Sequence, residues 1–204
     1  MNNIQTNHLS EINAAQFISM VAHPPVISIP TFIILNYFLA GPDHFVVPAL
    51  ISVIFGALIP ISTSLILIKK MHTDLDITDR TKRTVPLIFA ICSYLLGFLV
   101  LLWFGAPAIV SVFMLIYGTN TLIILIINFY WKISIHAMGI AGPTAAFIFT
   151  FGTVGVLMGL IIPLVMWSRL KLKKHTPSQV IAGSVLGLLL TWIQLSYIVP
   201  LINP

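Results

Sequence analysis

In the stretch SRLKLKKHTPSQVIAG, Ser168 and Arg169 are followed after five residues by His175, and after three more by Gln179. Arg169 and His175 are residue types that can handle a phosphate. Thr176-Pro177-Ser178-Gln179 is a helix-start sequence, with Thr176 suited to the N-cap, Pro177 to the first helical position and Gln179 to a capping box. His175 then stands just before a helix, at its positive end. That end favours a neutral imidazole and attracts anions. A neutral imidazole beside a bound anion is what a nucleophile attacking phosphorus requires. Arg169 offers a rigid fork of donors that matches phosphate geometry. For Lys171, Lys173 and Lys174 the plainer reading is preferred: they flank membrane spans on the side that retains positive charge.

Two further polar clusters accompany this one. In WKISIHAMGIAGP, Lys132, Ser134 and His136 alternate with Ile133 and Ile135, so an extended turn would aim all three at one cavity. The bland alternative is a snorkelling lysine and an interfacial histidine. The small residues that follow, Ala137, Gly139, Ala141 and Gly142, allow close helix packing. In KKMHTDLDITDRTKRTVP, Arg80 or Arg83 is a candidate phosphate ligand. Asp74, Asp76 and Asp79 would otherwise pair with the surrounding cations in a solvated loop.

The elements that carry these clusters are membrane spans. The chain has 204 residues, of which 58% are hydrophobic and only 7% charged, where a soluble domain carries about 25% charged residues. Length predicts one domain over residues 1–204. Phe45–Ile68 and Val180–Pro204 each supply a span of the roughly 20 apolar residues needed. Thr84–Trp131 supplies two, broken at Phe104-Gly105-Ala106-Pro107. Phe17–Ala40 reads as one kinked span containing Pro24, Pro25 and Pro30. Ile133–Trp167 is long for one helix and short for two, and Gly152 and Gly155 could form a hairpin tip. The expected fold is thus all-α, a polytopic transmembrane helix bundle with six or seven spans.

All ten Lys and Arg residues fall in three loops, which share one membrane face only if Ile133–Trp167 is a hairpin. The positive-inside rule favours that arrangement and puts the face in the cytoplasm, with the cell membrane as the expected location. Nucleic acid is excluded as a partner, because the basic residues flank spans and no soluble domain remains to hold a duplex. The single Cys92 rules out an internal disulfide and argues against a thiolate metal cage. No cleavable signal peptide is expected, since the N-terminus lacks a basic leading region.

The third cluster resembles the third motif of the type 2 phosphatidic acid phosphatases: Ser-Arg, five residues, His, three residues, Asp. Here Gln179 stands at the Asp position, and the VIAG that follows also fits. ISIHAMG resembles the second motif, Pro-Ser-Gly-His, retaining Ser134 and His136. DRTKRTVP stands where the first motif, Lys, six residues, Arg-Pro, would be, with different spacing. The resemblance implies an integral-membrane phosphatase of a lipid or polyprenyl phosphate or diphosphate, with no metal and no cofactor. It implies His175 as nucleophile, His136 as acid/base, and Arg169 and Ser134 as phosphate ligands. Arg83, Arg80 and Lys132 would complete the pocket. Gln179 would orient His175, with Asp76 or a neighbouring aspartate supplying the carboxylate charge.

Two other classes stand beside this one. Asp74–Asp79 superficially resembles the aspartate-rich, magnesium-diphosphate motif of intramembrane prenyltransferases, but those enzymes need two such clusters, and only Glu11 and Asp43 remain. A catalytically inactive lipid-phosphate binder or a small transporter is kept open by Gln179. Beyond membrane lipids and the lipid phosphate, no partner is indicated, and the oligomeric state is left open.

Overall fold

The computed structural model describes residues 3–72, 77 and 79–202, with side chains from residue 9 onward. Asp74 and Asp76 therefore lie outside the described residues. Among those described, every regular element is helical: α1 (Asn3–Val21), α2 (Pro24–Ala40), α3 (Val46–Val53), α4 (Ile59–Met71), α5 (Thr84–Trp103), α6 (Ala108–Tyr130), α7 (Ile135–Phe151), α8 (Val156–Gly159), α9 (Ile161–Lys171) and α10 (Pro177–Ile202). Five helical segments are long and apolar enough to cross a membrane, or six if Leu9–Val21 and Pro24–Ala40, bent by 54°, form one span. This is a helical bundle of an integral membrane protein. Its outer surface carries large apolar side chains such as Phe38, Ile66 and Leu96. Trp103 and Tyr130 stand exposed at helix ends, where amphipathic rings suit a membrane border.

The breaks follow local chemistry. Gly105 (φ 65°) closes the turn between α5 and α6, with Ala106 N–H donating to Leu101 O at 3.0 Å. Between α3 and α4 the helix widens into a π turn at Ile54–Leu58. Pro60 follows and has no N–H for the Gly56 carbonyl. Ser28 Oγ donates to that carbonyl at 3.0 Å, and Ser93 Oγ to Phe55 O at 2.7 Å. Neighbouring helices thus satisfy the backbone that the π turn frees.

The stretch at 135–171 is a hairpin. Gly152 (φ 60°) ends α7, and a 3-10 turn at Gly152–Gly155 reverses the chain. On the way back, Gly155 meets the Phe147 backbone, Gly159 meets Thr144, and Val165 packs with Ile140. The three basic loops consequently share one end of the bundle. Arg80 donates to the carbonyls of Asn128 and Phe129 at 2.8 and 2.5 Å, Asn128 Nδ2 returns a bond to Arg80 O at 2.8 Å, and Ser134 N–H donates to Gln179 O at 3.3 Å. The Gly41–Phe45 and Phe104–Pro107 turns line a common hollow at the other end. In a Cys92→Ser background, single cysteines at Lys70, Trp131 and Lys173 should therefore label from one side of the membrane, and one at Ala106 from the other. Labelling of Trp131 and Lys173 from opposite sides would remove the hairpin.

Candidate active site

The loop at 172–176 and the start of α10 build the centre. Lys173 takes a left-handed conformation (φ 52°) after α9, and Lys174 N–H bonds back to Arg169 O at 3.1 Å. The chain then enters α10 at Pro177. Gln179 Oε1 accepts from Thr176 N–H at 3.2 Å and lies 3.0 Å from His175 Nδ1. A backbone N–H can only donate, so the amide atom facing both groups is the oxygen. His175 Nδ1 must then carry the proton, and Nε2 keeps its lone pair. Gln179 is both the capping-box residue and the orienting partner of His175. Burial pulls the His175 imidazole down to about 4, with the Gln179 bond opposing and the charges of Arg169, Arg83 and Lys132 adding to the fall. His175 is thus a neutral imidazole at pH 7, with Arg169, Arg83 and Lys132 near enough for their charges to act on it.

His175, His136 and Arg83 line one cavity of about 520 Å³, within the usual range for small-ligand sites. Its basic groups, Arg83, His23, His136 and His175, gather at the loop end, while Asn120, Tyr94 and Tyr117 line it deeper. From the loop end it runs between α4, α5, α6 and α7 past Leu87 and Ile116 to Tyr94 and Tyr117. Tyr94 lies eleven residues beyond Arg83 along α5, a depth of about 16 Å at the helical rise. The floor is enclosed, with Tyr94, Phe113 and Ile116 all buried. Nearer the loop end, Met20 and Leu65 line the cavity and are also exposed on the bundle's flank, so it opens sideways between the α1–α2 bend and α4.

The other candidates divide. Arg83 is 4% exposed and donates from Nε to Ile77 O at 2.7 Å and from Nη1 to Ile133 O at 3.5 Å, which ties the first loop to the second. Arg169 is buried and donates to Ser19 Oγ on α1, while Ser168 Oγ donates to Ala15 O at 2.6 Å. Ser134 has the expected extended backbone (φ −83°, ψ 103°), but the extended stretch ends there. It caps α7, its Oγ accepting from Ala137 N–H at 3.3 Å, so His136 sits in the first helical turn. Arg80 staples the first loop to the carbonyl end of α6 and does not line the cavity. Asp79 caps the short helix Arg80–Arg83; its bonds from Thr81 Oγ1 and N–H, at 2.8 and 3.0 Å, hold the carboxyl below its ordinary value. Asp79 is therefore committed locally. Among the described residues no three His, Cys, Asp or Glu side chains come together as metal ligands.

Sequence reasoning missed the contribution of α1 and the bend. Ser19 and His23 both line the cavity, and Glu11 forms an ion pair with Lys171. The one available signal was a histidine immediately before Pro24-Pro25 at the expected kink. No family model, curated protein or solved structure matches the chain.

Proposed function

We propose that the chain is an integral-membrane lipid phosphatase, a divergent relative of the type 2 phosphatidic acid phosphatases, acting on a phosphate or diphosphate of a lipid or polyprenyl alcohol. The observation that carries this reading is the neutral His175. Its Nδ1 is held by Gln179, and it lies at the polar mouth of a deep apolar cavity shared with His136 and Arg83. Such a cavity suits a phosphate at the mouth and a hydrocarbon chain below.

In the proposed reaction His175 Nε2 attacks phosphorus. The bond from phosphorus to the lipid oxygen breaks, and that oxygen takes a proton from protonated His136. Water then attacks the phosphohistidine and gives its proton to His136. The P–N bond breaks, releasing phosphate and neutral His175. Arg83 and Arg169 stabilise the charge that builds on the equatorial oxygens. Arg169 would turn from Ser19 to do so. No metal or cofactor is required, and the site would face the cytoplasm, where the three basic loops belong.

A second reading, a lipid-phosphate binder without turnover, is favoured by one feature. Gln179 stabilises an imidazolium less than a carboxylate would. A panel of phosphatidate, phosphatidylglycerophosphate and polyprenyl diphosphate, incubated with purified protein, separates the two. The phosphatase reading expects phosphate release that survives chelator and is blocked by vanadate, a mimic of the trigonal-bipyramidal phosphoryl group. Saturable binding with no release would leave the binder.

A further inference from the structure

His23 lies outside every polar cluster that marks the three loops, yet it reaches the same cavity. Its ring makes a T-shaped contact with that of His136, with centroids 5.1 Å apart and planes at 82°. His136 is buried, and its Nε2 has no hydrogen-bond partner among the described residues. An acid/base imidazole is effective only when a ring nitrogen is aimed at the oxygen it serves. A bond to the second ring nitrogen commonly does that aiming. At His136 the ring packs against the ring of His23.

The bend that carries His23 is itself fixed. His23 caps α2 in an extended conformation (φ −61°, ψ 131°), and its carbonyl accepts from Val26 and Ile27 N–H at 2.8 and 3.0 Å. Pro24 has its φ locked by its ring. It packs on Gly139, where a Cβ would lie 2.6 Å from Pro24 Cγ and 2.8 Å from Pro24 Cβ. Gly139 is three residues beyond His136, on the same side of α7. The contact that docks the bend onto α7 therefore also sets His23 against His136. Along α1, Ser19 and Ala15 hold Arg169 and Ser168 in the same way.

We propose that His23 is a positioning residue of the site: its ring, packed against that of His136, fixes the orientation of His136, so the α1–α2 pair is a working part of the phosphoryl-transfer centre. This inference rests on the phosphatase reading for its effect on rate, while the ring contact can be tested without turnover. The obvious alternative role for α1 and α2, a lipid anchor, would leave His136 unaffected by a change at His23.

Three variants test it. His23→Ala removes the ring and should lower kcat by on the order of tenfold to a hundredfold, the scale of a misplaced catalytic group, with little change in KM. His23→Phe keeps an aromatic ring in that contact and should recover most of that loss. Gly139→Ala should reproduce the His23→Ala defect by displacing Pro24. Its thermal melt shows whether it folds, and the two His23 variants decide the matter if it does not. The same proteins with 13C-labelled histidine give a second readout. His136 should show one sharp ring signal in the wild type and in His23→Phe, and a broadened or split signal in His23→Ala. Equal kcat and an unchanged His136 line shape in His23→Ala would overturn the proposal. So would a His23→Phe protein as impaired as His23→Ala, since the nitrogens and not the ring would then matter. Absence of phosphate release from the wild type on every lipid would sink the phosphatase reading. The His136 signals would still decide the positioning claim.

Discussion

Replacing His175 with alanine should abolish phosphate release while leaving the bundle folded. The expected loss is at least about a thousandfold, since a removed nucleophile leaves only binding and electrostatic stabilisation. Stability should change by about 1 kcal/mol or less, the net worth of one hydrogen bond. The side chain sits in the loop before α10, and Gln179 keeps its bond to Thr176 N–H without it. The wild-type pH profile carries a linked expectation. Attack requires neutral imidazole, and burial brings His175 down to about 4, against about 6.5 for a free histidine. The neutral form therefore persists as the pH falls toward 4, and only below that does protonation silence the nucleophile. An acid limb of kcat/KM near 4 that disappears with the activity in His175→Ala would bear this out. A purified His175→Ala protein with near-normal turnover would end the mechanism.

What could be read in the sequence was local. The Gln179 half of the capping box is decided within four residues: its side chain takes Thr176 N–H and partners His175, while Thr176 Oγ1 pairs with Ser178 Oγ. The hairpin tip was legible because Gly152 takes a positive φ that glycine tolerates, and Gly155 sits where no Cβ fits against Phe147. The end-to-end arrangement of the basic loops followed from that tip. What escaped was made through space. Nothing near His23 names His136 as its neighbour, because the contact depends on how Pro24 seats on Gly139. Arg80 and Arg83 have the same chemistry and lie three residues apart. Only the fold shows that one is spent on the carbonyls of Asn128 and Phe129 while the other turns toward the cavity. The π turn at Ile54–Leu58 was hidden for a similar reason. Pro60 frees a carbonyl, but the donor that accepts the task, Ser28, comes from another helix.

Substituting valine for Gly183 should impair turnover more than it impairs folding. Gly183 and Gly187 lie four apart on one face of α10, opposite Ala137 and Ala141 on α7, a small-residue contact that lets two backbones meet. A Cβ at Gly183 would fall 2.6 Å from Ser134 O and 3.3 Å from Ala137 Cβ. At Gly187 it would fall 2.8 Å from both Ala141 Cβ and Met138 O. The nearest obstacle at Gly183 is a backbone carbonyl, not the tip of a mobile side chain, so the helices must separate. Overpacking of this kind costs about 1–3 kcal/mol. Yet the contact also sets the register between the two halves of the site. Gln179, one turn before Gly183, accepts from Ser134 N–H and orients His175, while His136 starts the opposing helix. A shift of about 1 Å across this seam moves nucleophile and acid apart, and such misplacements cost about a hundredfold in rate. The measurements are the melting temperature and kcat of Gly183→Val, with Val185→Leu as a control on an exposed side of the same helix. The control should match the wild type in both. A Gly183→Val protein that melts and turns over like the wild type would mean that α7 and α10 do not meet at this register, and that His136 and His175 are not brought together by it.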